Sequence, residues 1–444
     1  MSQAIEQPRF TCALGSYQSA VAIKKGVPIL HSGPGCGGQV NRIIGQGEGY
    51  AGGSTAPCTN AEEQDVVFGG EKKLRSVVEN AFKVIDGELF VVVTGCTAAI
   101  TGDDVAAVIG EFQEEDKPIV YVEEGGFKSN NYAAHDRLLN AIIDQYVDKF
   151  HESDEKVEGL VNVFASIPYQ DPYWSGNLEG IKKVLTDIGL KVNILFGGES
   201  EGVSEWKTIP NAQFNIAIGP WVGLKAAKHL KVKYQQPFLQ FPYLPIGAIE
   251  TSRFLREVGE FAGLDKDKVE EYIEREEAKY YEHIEKMASF MLEFRYGIPR
   301  RVYSIADSSY SLGFSKFLLN ELGIIPGTQF IVDDIPEKYQ QYVLEQFENI
   351  SELGNKRDIE VVFDPDAGNS QRKLEEDAKN YEDKRILILG SAWDKNLASK
   401  LNADLLIVSP PVQYRLIMNC GYTGYEGGLR AIEDIYDRVL ATYR

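Results

Sequence analysis

Cysteine is scarce in this chain of 444 residues: there are five, an odd number, spread from Cys12 to Cys420. So few thiols over that length cannot build a disulfide scaffold. They fit a reducing compartment, where separated cysteines bind metal or react. No CxxC pair occurs, which excludes the compact ligand runs of ferredoxins and zinc ribbons. Long apolar runs are missing too. Nothing approaches the roughly 20 residues of a membrane-spanning helix, and the start, MSQAIEQPRF, lacks the apolar stretch of a signal peptide. A soluble, cytoplasmic protein is expected. Basic residues are outnumbered, 46 Lys and Arg against 66 Asp and Glu, for a formal charge of −20. That balance argues against a nucleic-acid partner, which needs clustered Lys and Arg. It suits a basic docking partner and says nothing about fold.

What is present is enough apolar material, 43% of residues, to fill large cores, in a chain long enough for two or three domains. Short apolar runs at 27–31, 89–93 and 119–122 read as buried strands, and Leu74, Val77, Val78, Ala81, Phe82 and Ile85 recur at helical spacing between them. Residues 16–25 read as a helix closed by Gly26, residues 45–60 as loop, and Asp103 or Asp104 as a helix cap. The alternation repeats with strands at 160–167, 192–196 and 214–218, a helix at 178–188 and a helical turn in GPWVGLKAAKHL. It repeats again with strands at 301–305, 329–332, 361–363, 386–389 and 405–408 and helices at 312–322 and 428–442. A long helix of alternating charge, 266–294, bridges units. The fold class is therefore α/β: three Rossmann-like domains over 1–158, 159–298 and 299–444, each a mainly parallel sheet flanked by helices.

Three cysteines fall in 31–104. Cys36 ends HSGPGC, Cys58 lies in PCTNAEEQDVVFGG, and Cys96 lies in TGCTAAITGDD. Cys36 and Cys96 follow predicted parallel strands, where crevices of open α/β sheets form. Thiolates are soft ligands suited to iron–sulfur clusters. By spacing alone, ligands and buried core cysteines stand level. Gly33, Gly35 and Gly38 satisfy GxGxxG, but Pro34 removes a backbone donor and no acidic residue ends a return strand, so a dinucleotide site is disfavoured. Cys36 as a catalytic thiol has no histidine placed by sequence to serve it, His31 being close along an extended strand.

These segments resemble the nitrogenase component 1 superfamily: HSGPGC, the PC before AEEQDVVFGG, TGC before AAITGDD, FTCALG at Cys12, PYLPIGAIETSRFL at 242–255 and GYEGGLRAIEDI at 424–435. The resemblance runs the length of the chain. It implies that Cys36, Cys58 and Cys96 are this chain's ligands to a P-cluster-type [8Fe-7S] or related cluster shared with a homologous partner, leaving Cys12 and Cys420 structural. With no cysteine between Cys96 and Cys420 and no histidine after His283, the ligands expected for the catalytic cofactor of an alpha-like subunit are missing, so the chain resembles a beta-like subunit. The implied partners are an alpha-like subunit in an α2β2 assembly, carrying the catalytic iron–sulfur cofactor, and an ATP-dependent Fe protein homodimer with a [4Fe-4S] cluster. Ser32, Thr94 and Thr97 are neighbours by adjacency, and Glu62 and Glu63 serve a helix start. The short N-terminal segment points to a nitrogenase-like reductase, such as a methylthio-alkane reductase cleaving C–S bonds, ahead of dinitrogen reduction. The alternatives are a scaffold for cofactor assembly and a metal-free metabolite-binding protein.

Overall fold

A computed structural model describes residues 5–44, 57–123, 125–294, 297–354, 358–381 and 385–441. Three sheets follow one another along the chain, and every ladder pair in them is parallel. The first holds β1 (Gly26–His31), β2 (Leu89–Thr94) and β3 (Ile119–Val122) in that order. The second holds β4 (Val157–Phe164), β5 (Lys191–Asn193), β6 (Ala212–Ile218) and β7 (Phe238–Phe241), ordered β5-β4-β6-β7. The third holds β8 (Arg301–Ala306), β9 (Ile325–Ile331), β10 (Val361–Phe363), β11 (Ile386–Gly390) and β12 (Asp404–Ile407), ordered β10-β9-β8-β11-β12. The strand order reverses between β4 and β6 and between β8 and β11. These are the switch points at which doubly wound sheets open a crevice.

The apolar runs explain the layering. In β2, LFVVVT, all six residues are buried, as expected where helices cover both faces of a parallel sheet. Val27, Ile29, Phe90 and Val92 face the helices Glu71–Val84 and Val105–Glu114 through Leu74, Val78, Ile109 and Phe112. Leu30, Val91 and Val93 point the other way, into a core with Tyr17, Leu138 and Leu139 that continues through the second and third sheets. Alternate residues thus fill opposite layers.

Two segments far apart in sequence meet at the join of the later units. Gly424 N–H donates to Pro245 O at 2.8 Å, and Ile246 bridges Gly424. The helices Gly247–Ala262 and Gly424–Ala441 then approach so closely that a Cβ on Gly428 would lie 2.4 Å from Gly247 Cα. The N-terminal segment is strapped to the third unit. Arg9, 2% exposed, holds Asp394 at 2.7 Å and bonds Ser391 Oγ, while Glu6 N and Gln7 N donate to Asp366.

Several local expectations differ from the structure. The helix Ser16–Val21 is not closed by Gly26: the left-handed residue is Lys25, at φ 68°, and Gly26 already begins β1. The strand expected to reach Phe196 stops at Asn193, because Leu195 has φ 67°. GPWVGLKAAKHL is more than a turn, opening the helix Leu224–Tyr234, and the last helix starts at Gly424. The charged helix Lys266–Phe294 has the expected bounds. Most of the loop expected at 45–60 lies outside the described residues.

Candidate functional site

The cysteines gather at the C-terminal edge of the first sheet. After β1 the chain turns at Ser32 and Gly33 into the helix Pro34–Ile44, with Pro34 in its first position, where no N–H is needed, and Cys36 in its first turn. The chain returns alongside β1: Leu30 N donates to Pro57 O at 2.8 Å and Thr59 N to Leu30 O at 2.9 Å, so Cys58 pairs with Leu30 as one more parallel rung. β2 pairs with β1 up to His31 and Thr94, and Gly95 leads into the helix Cys96–Thr101, whose first residue is Cys96. Neighbouring strand ends therefore deliver Cys36, Cys58 and Cys96 to one side of the sheet.

A fourth cysteine joins them. Cys12 lies on a segment bridged antiparallel to Asn130. A Cβ added to Gly126 would meet Cys96 Sγ at 3.1 Å and Cys12 Sγ at 3.2 Å, so both sulfurs press on one glycine. Cys12 is within electrostatic reach of Cys96 and Cys36, and Cys58 of Cys36. Cys12, left structural on the sequence, is thus part of the group. Cys420 is elsewhere, beside Arg415 in the third unit. The sequence held one signal for Cys12, the FTCALG motif, but no predicted strand end placed it.

All five thiols are free. Burial raises the Cys12 and Cys58 thiols above the ordinary value, with neighbouring cysteines adding to it. A metal held here would displace those protons, since a coordinating thiol is deprotonated. Cys58 Sγ already accepts Asn60 N–H at 3.4 Å and contacts Ser32 O at 3.5 Å. Ser32 Oγ is buried without a hydrogen-bond partner among the described residues and lies against Gly95, where a Cβ would come within 2.1 Å of it. Among the described residues no three His, Cys, Asp or Glu side chains close around a single metal ion. Four free thiols in an open group with an orphaned hydroxyl fit a multi-iron group completed from outside the chain, and do not fit a mononuclear site.

The other expected neighbours have quieter roles. Thr94 Oγ1 donates to Val122 O at 3.1 Å, and Thr97 Oγ1 lies 3.8 Å from where a Cβ on Gly33 would stand. Glu62 caps the helix Glu63–Phe68 in a capping box with Asp65, as its position suggested, and Asp104 caps the helix Val105–Glu114. Asp103 instead bonds His31, whose ring is buried and 3.0 Å away. His31 faces Asp103 and Thr59, which leaves it no role as base to Cys36. The rim outside the thiols is apolar and open to solvent: Phe68 is 85% and Ile100 73% exposed, and their short helices pack together. Large exposed apolar groups set together mark a surface that another protein covers.

The crevices of the later sheets are nearly closed. A cavity of about 40 Å³ lies beyond the ends of β4, β6, β8 and β9, lined by Tyr132, Asp171, Trp221, Asp307, Tyr310 and Asp333 among others. Burial, then the neighbouring Asp333, pushes the Asp307 carboxyl up to about 8, and burial raises Asp171 and Asp333 as well. No thiol or imidazole lines this space.

Comparison with known proteins bears on both regions. The model of the nitrogenase component 1 type oxidoreductase family matches residues 11–440. The nitrogenase molybdenum-iron protein beta chain of Methanococcus maripaludis is 25% identical over 482 residues, covering 99% of this chain and 95% of that protein. The nitrogenase iron-molybdenum cofactor biosynthesis protein NifE of the same organism is 31% identical over 289 residues, covering 64% and 56%. A solved structure described as nitrogenase Cp1 at pH 6.5 superimposes with a TM-score of 0.80 at 19% identity, covering 100% of this chain and 95% of that one, a likeness of fold.

Proposed function

This chain belongs to the nitrogenase component 1 type oxidoreductase family as a beta-like member, and from that we propose that it is the electron-relay subunit of a nitrogenase-like, ATP-dependent reductase. Cys36, Cys58 and Cys96, with Cys12 added from the geometry, hold this chain's half of a P-cluster-type [8Fe-7S] or related cluster. A homologous alpha-like subunit supplies the other half within an α2β2 assembly in the cytoplasm. Bound, such a cluster supplies one-electron relay. The chain's own residues supply thiolate ligation, half-burial, and hydrogen bonding from Asn60 N–H and the unpartnered Ser32 hydroxyl, which tune potential. An Fe protein homodimer with its own [4Fe-4S] cluster is the donor. The acidic surface is compatible with its docking.

One observation carries this reading: four free thiols meet at one sheet edge beneath an apolar rim. A second supports the division of labour. The crevice beyond β4, β6, β8 and β9 is walled by carboxylates, hydroxyls and aromatic rings rather than thiols or imidazoles. We assign the catalytic cofactor to the partner, and the substrate with it. A methylthio-alkane C–S bond or dinitrogen are the two candidates. An assembly scaffold is the second reading, favoured by the likeness to NifE.

The test is anaerobic purification of the chain with its partner, followed by measurement of iron, acid-labile sulfide and the EPR spectrum. Iron and sulfide are expected, and each of Cys36→Ser, Cys58→Ser and Cys96→Ser is expected to lower them or change the spectrum. A colourless complex without iron sinks the proposal. Turnover with an Fe protein separates reductase from scaffold.

A further inference from the structure

The motifs that carry the cysteines also carry polar residues that ligation does not use, and these converge on one ring. His31 ends β1, Thr59 follows Cys58, Gly70 ends VVFGG, and Asp103 belongs to the TGDD that follows Cys96. The His31 side chain is 0% exposed, with Nε2 3.0 Å from Asp103 Oδ2 and Nδ1 3.1 Å from Thr59 Oγ1. Asp103 Oδ1 accepts Gly70 N–H at 3.0 Å. Thr59 Oγ1 accepts Ser32 N–H at 3.0 Å and lies 3.2 Å from Ser32 O, the carbonyl that the Cys58 thiol also contacts. A Cβ on Gly70 would stand 2.9 Å from His31 Cε1 and 2.6 Å from Asp103 Oδ2, so glycine there is what leaves the ring its place.

The ring is held at both nitrogens. A carboxylate only accepts, so Nε2 carries the hydrogen toward Asp103, while Nδ1 shares the single Thr59 hydroxyl hydrogen with Ser32 O. An apolar side chain in place of His31 leaves the buried Asp103 Oδ2 without its donor and removes the contact that ties Thr59 to the ring. We infer that His31 is a positioning residue: locked between Asp103 and Thr59, it holds the Cys58 segment against β1 and sets where the Cys58 sulfur stands relative to Cys36 and Cys96. This rests on the cluster reading above and adds to it a residue that touches neither cluster nor substrate.

The test has two readouts. In the full-length chain freed of iron, alkylation of each cysteine by iodoacetamide is followed by peptide mass spectrometry. In the complex loaded with iron and sulfide, the EPR signal and the midpoint potential are measured. In His31→Ala and in the near-isosteric Thr59→Val, Cys58 is expected to label about 10-fold faster than in the wild type, as for local opening after loss of one or two buried hydrogen bonds. Cys420 should label at its wild-type rate, the EPR signal and potential should shift, and Thr59→Ser, which keeps the hydroxyl, should restore both. Unchanged Cys58 labelling in Thr59→Val overturns the positioning role. So does faster labelling with a wild-type signal and potential. If His31→Ala does not fold, the Thr59 pair decides alone. A wild-type complex that takes up no iron overturns the cluster reading and the positioning role together, an outcome distinct from an iron-loaded wild type with silent variants.

Discussion

A cysteine's neighbours decide whether it is core or ligand, and Cys12 is the instructive residue. Its sulfur and that of Cys96 share the surface of Gly126, while Cys420, equally free, stands among Arg415, Arg430 and Asp434. Cys12→Ser is accordingly expected to lower iron in the purified complex as far as Cys96→Ser does, with Cys420→Ser as the neutral control. Equal iron in Cys12→Ser and wild type would return Cys12 to the structural class. Gly126→Ala tests the same point by crowding. A Cβ about 3 Å from two sulfurs forces one aside, so iron uptake should fall while thermal stability moves little, because the group lies at an open edge. Cys36 and Cys96 were legible in the sequence because each follows an uninterrupted apolar strand. Cys12 was not, because what identifies it is the return of residues near 126 to its side.

Among elements, legibility followed the covering of each strand. β2 and β11, buried along their length, read directly as apolar runs. The helix Asn131–Ile142 escaped notice because Asn131, His135 and Asp136 are buried and break its apolar period. Their partners lie far off in sequence: Gln170 for Asn131, Ser19 for His135 and Gly223 N–H for Asp136. β7, only half-buried on the sheet edge, carried too weak a signal. The segments 242–255 and 424–435 were legible as motifs but not as a pair, and the structure shows them to be one contact, backbone on backbone, between Gly247 and Gly428. Gly428→Ala must push the two helices apart and is expected to cost about 1–3 kcal/mol, the usual range for overpacking. Chemical denaturation of the full chain measures it, and an unchanged midpoint would mean that the contact relaxes without cost.

For the molecule as a whole, the closed crevice contributes a pH response. Asp307 titrates near 8 in the folded chain against an ordinary carboxylate value near 4. The folded state therefore keeps a proton that the unfolded state releases, and this group's contribution to stability declines as pH rises from about 4 to about 8. Asp171 and Asp333, raised in the same direction, add to that decline. Asp307 also caps the helix Ser308–Leu322 by accepting from Ser309 N and Tyr310 N, a role asparagine fills well. Asp307→Asn should therefore melt at a higher temperature than the wild type at pH 8.5 and near it at pH 5. Parallel melting curves across that range would show that the carboxyl is ionised throughout.

The strap from Arg9 to Asp394 gives folding a timetable. Synthesis runs from the N-terminus, so Arg9 emerges early, yet it and the residues just before it dock on a unit made last. Chains halted before Asp394 should leave Arg9 open to tryptic cleavage that the finished chain resists, because the docked side chain is 2% exposed. The first segment made is then the last one seated.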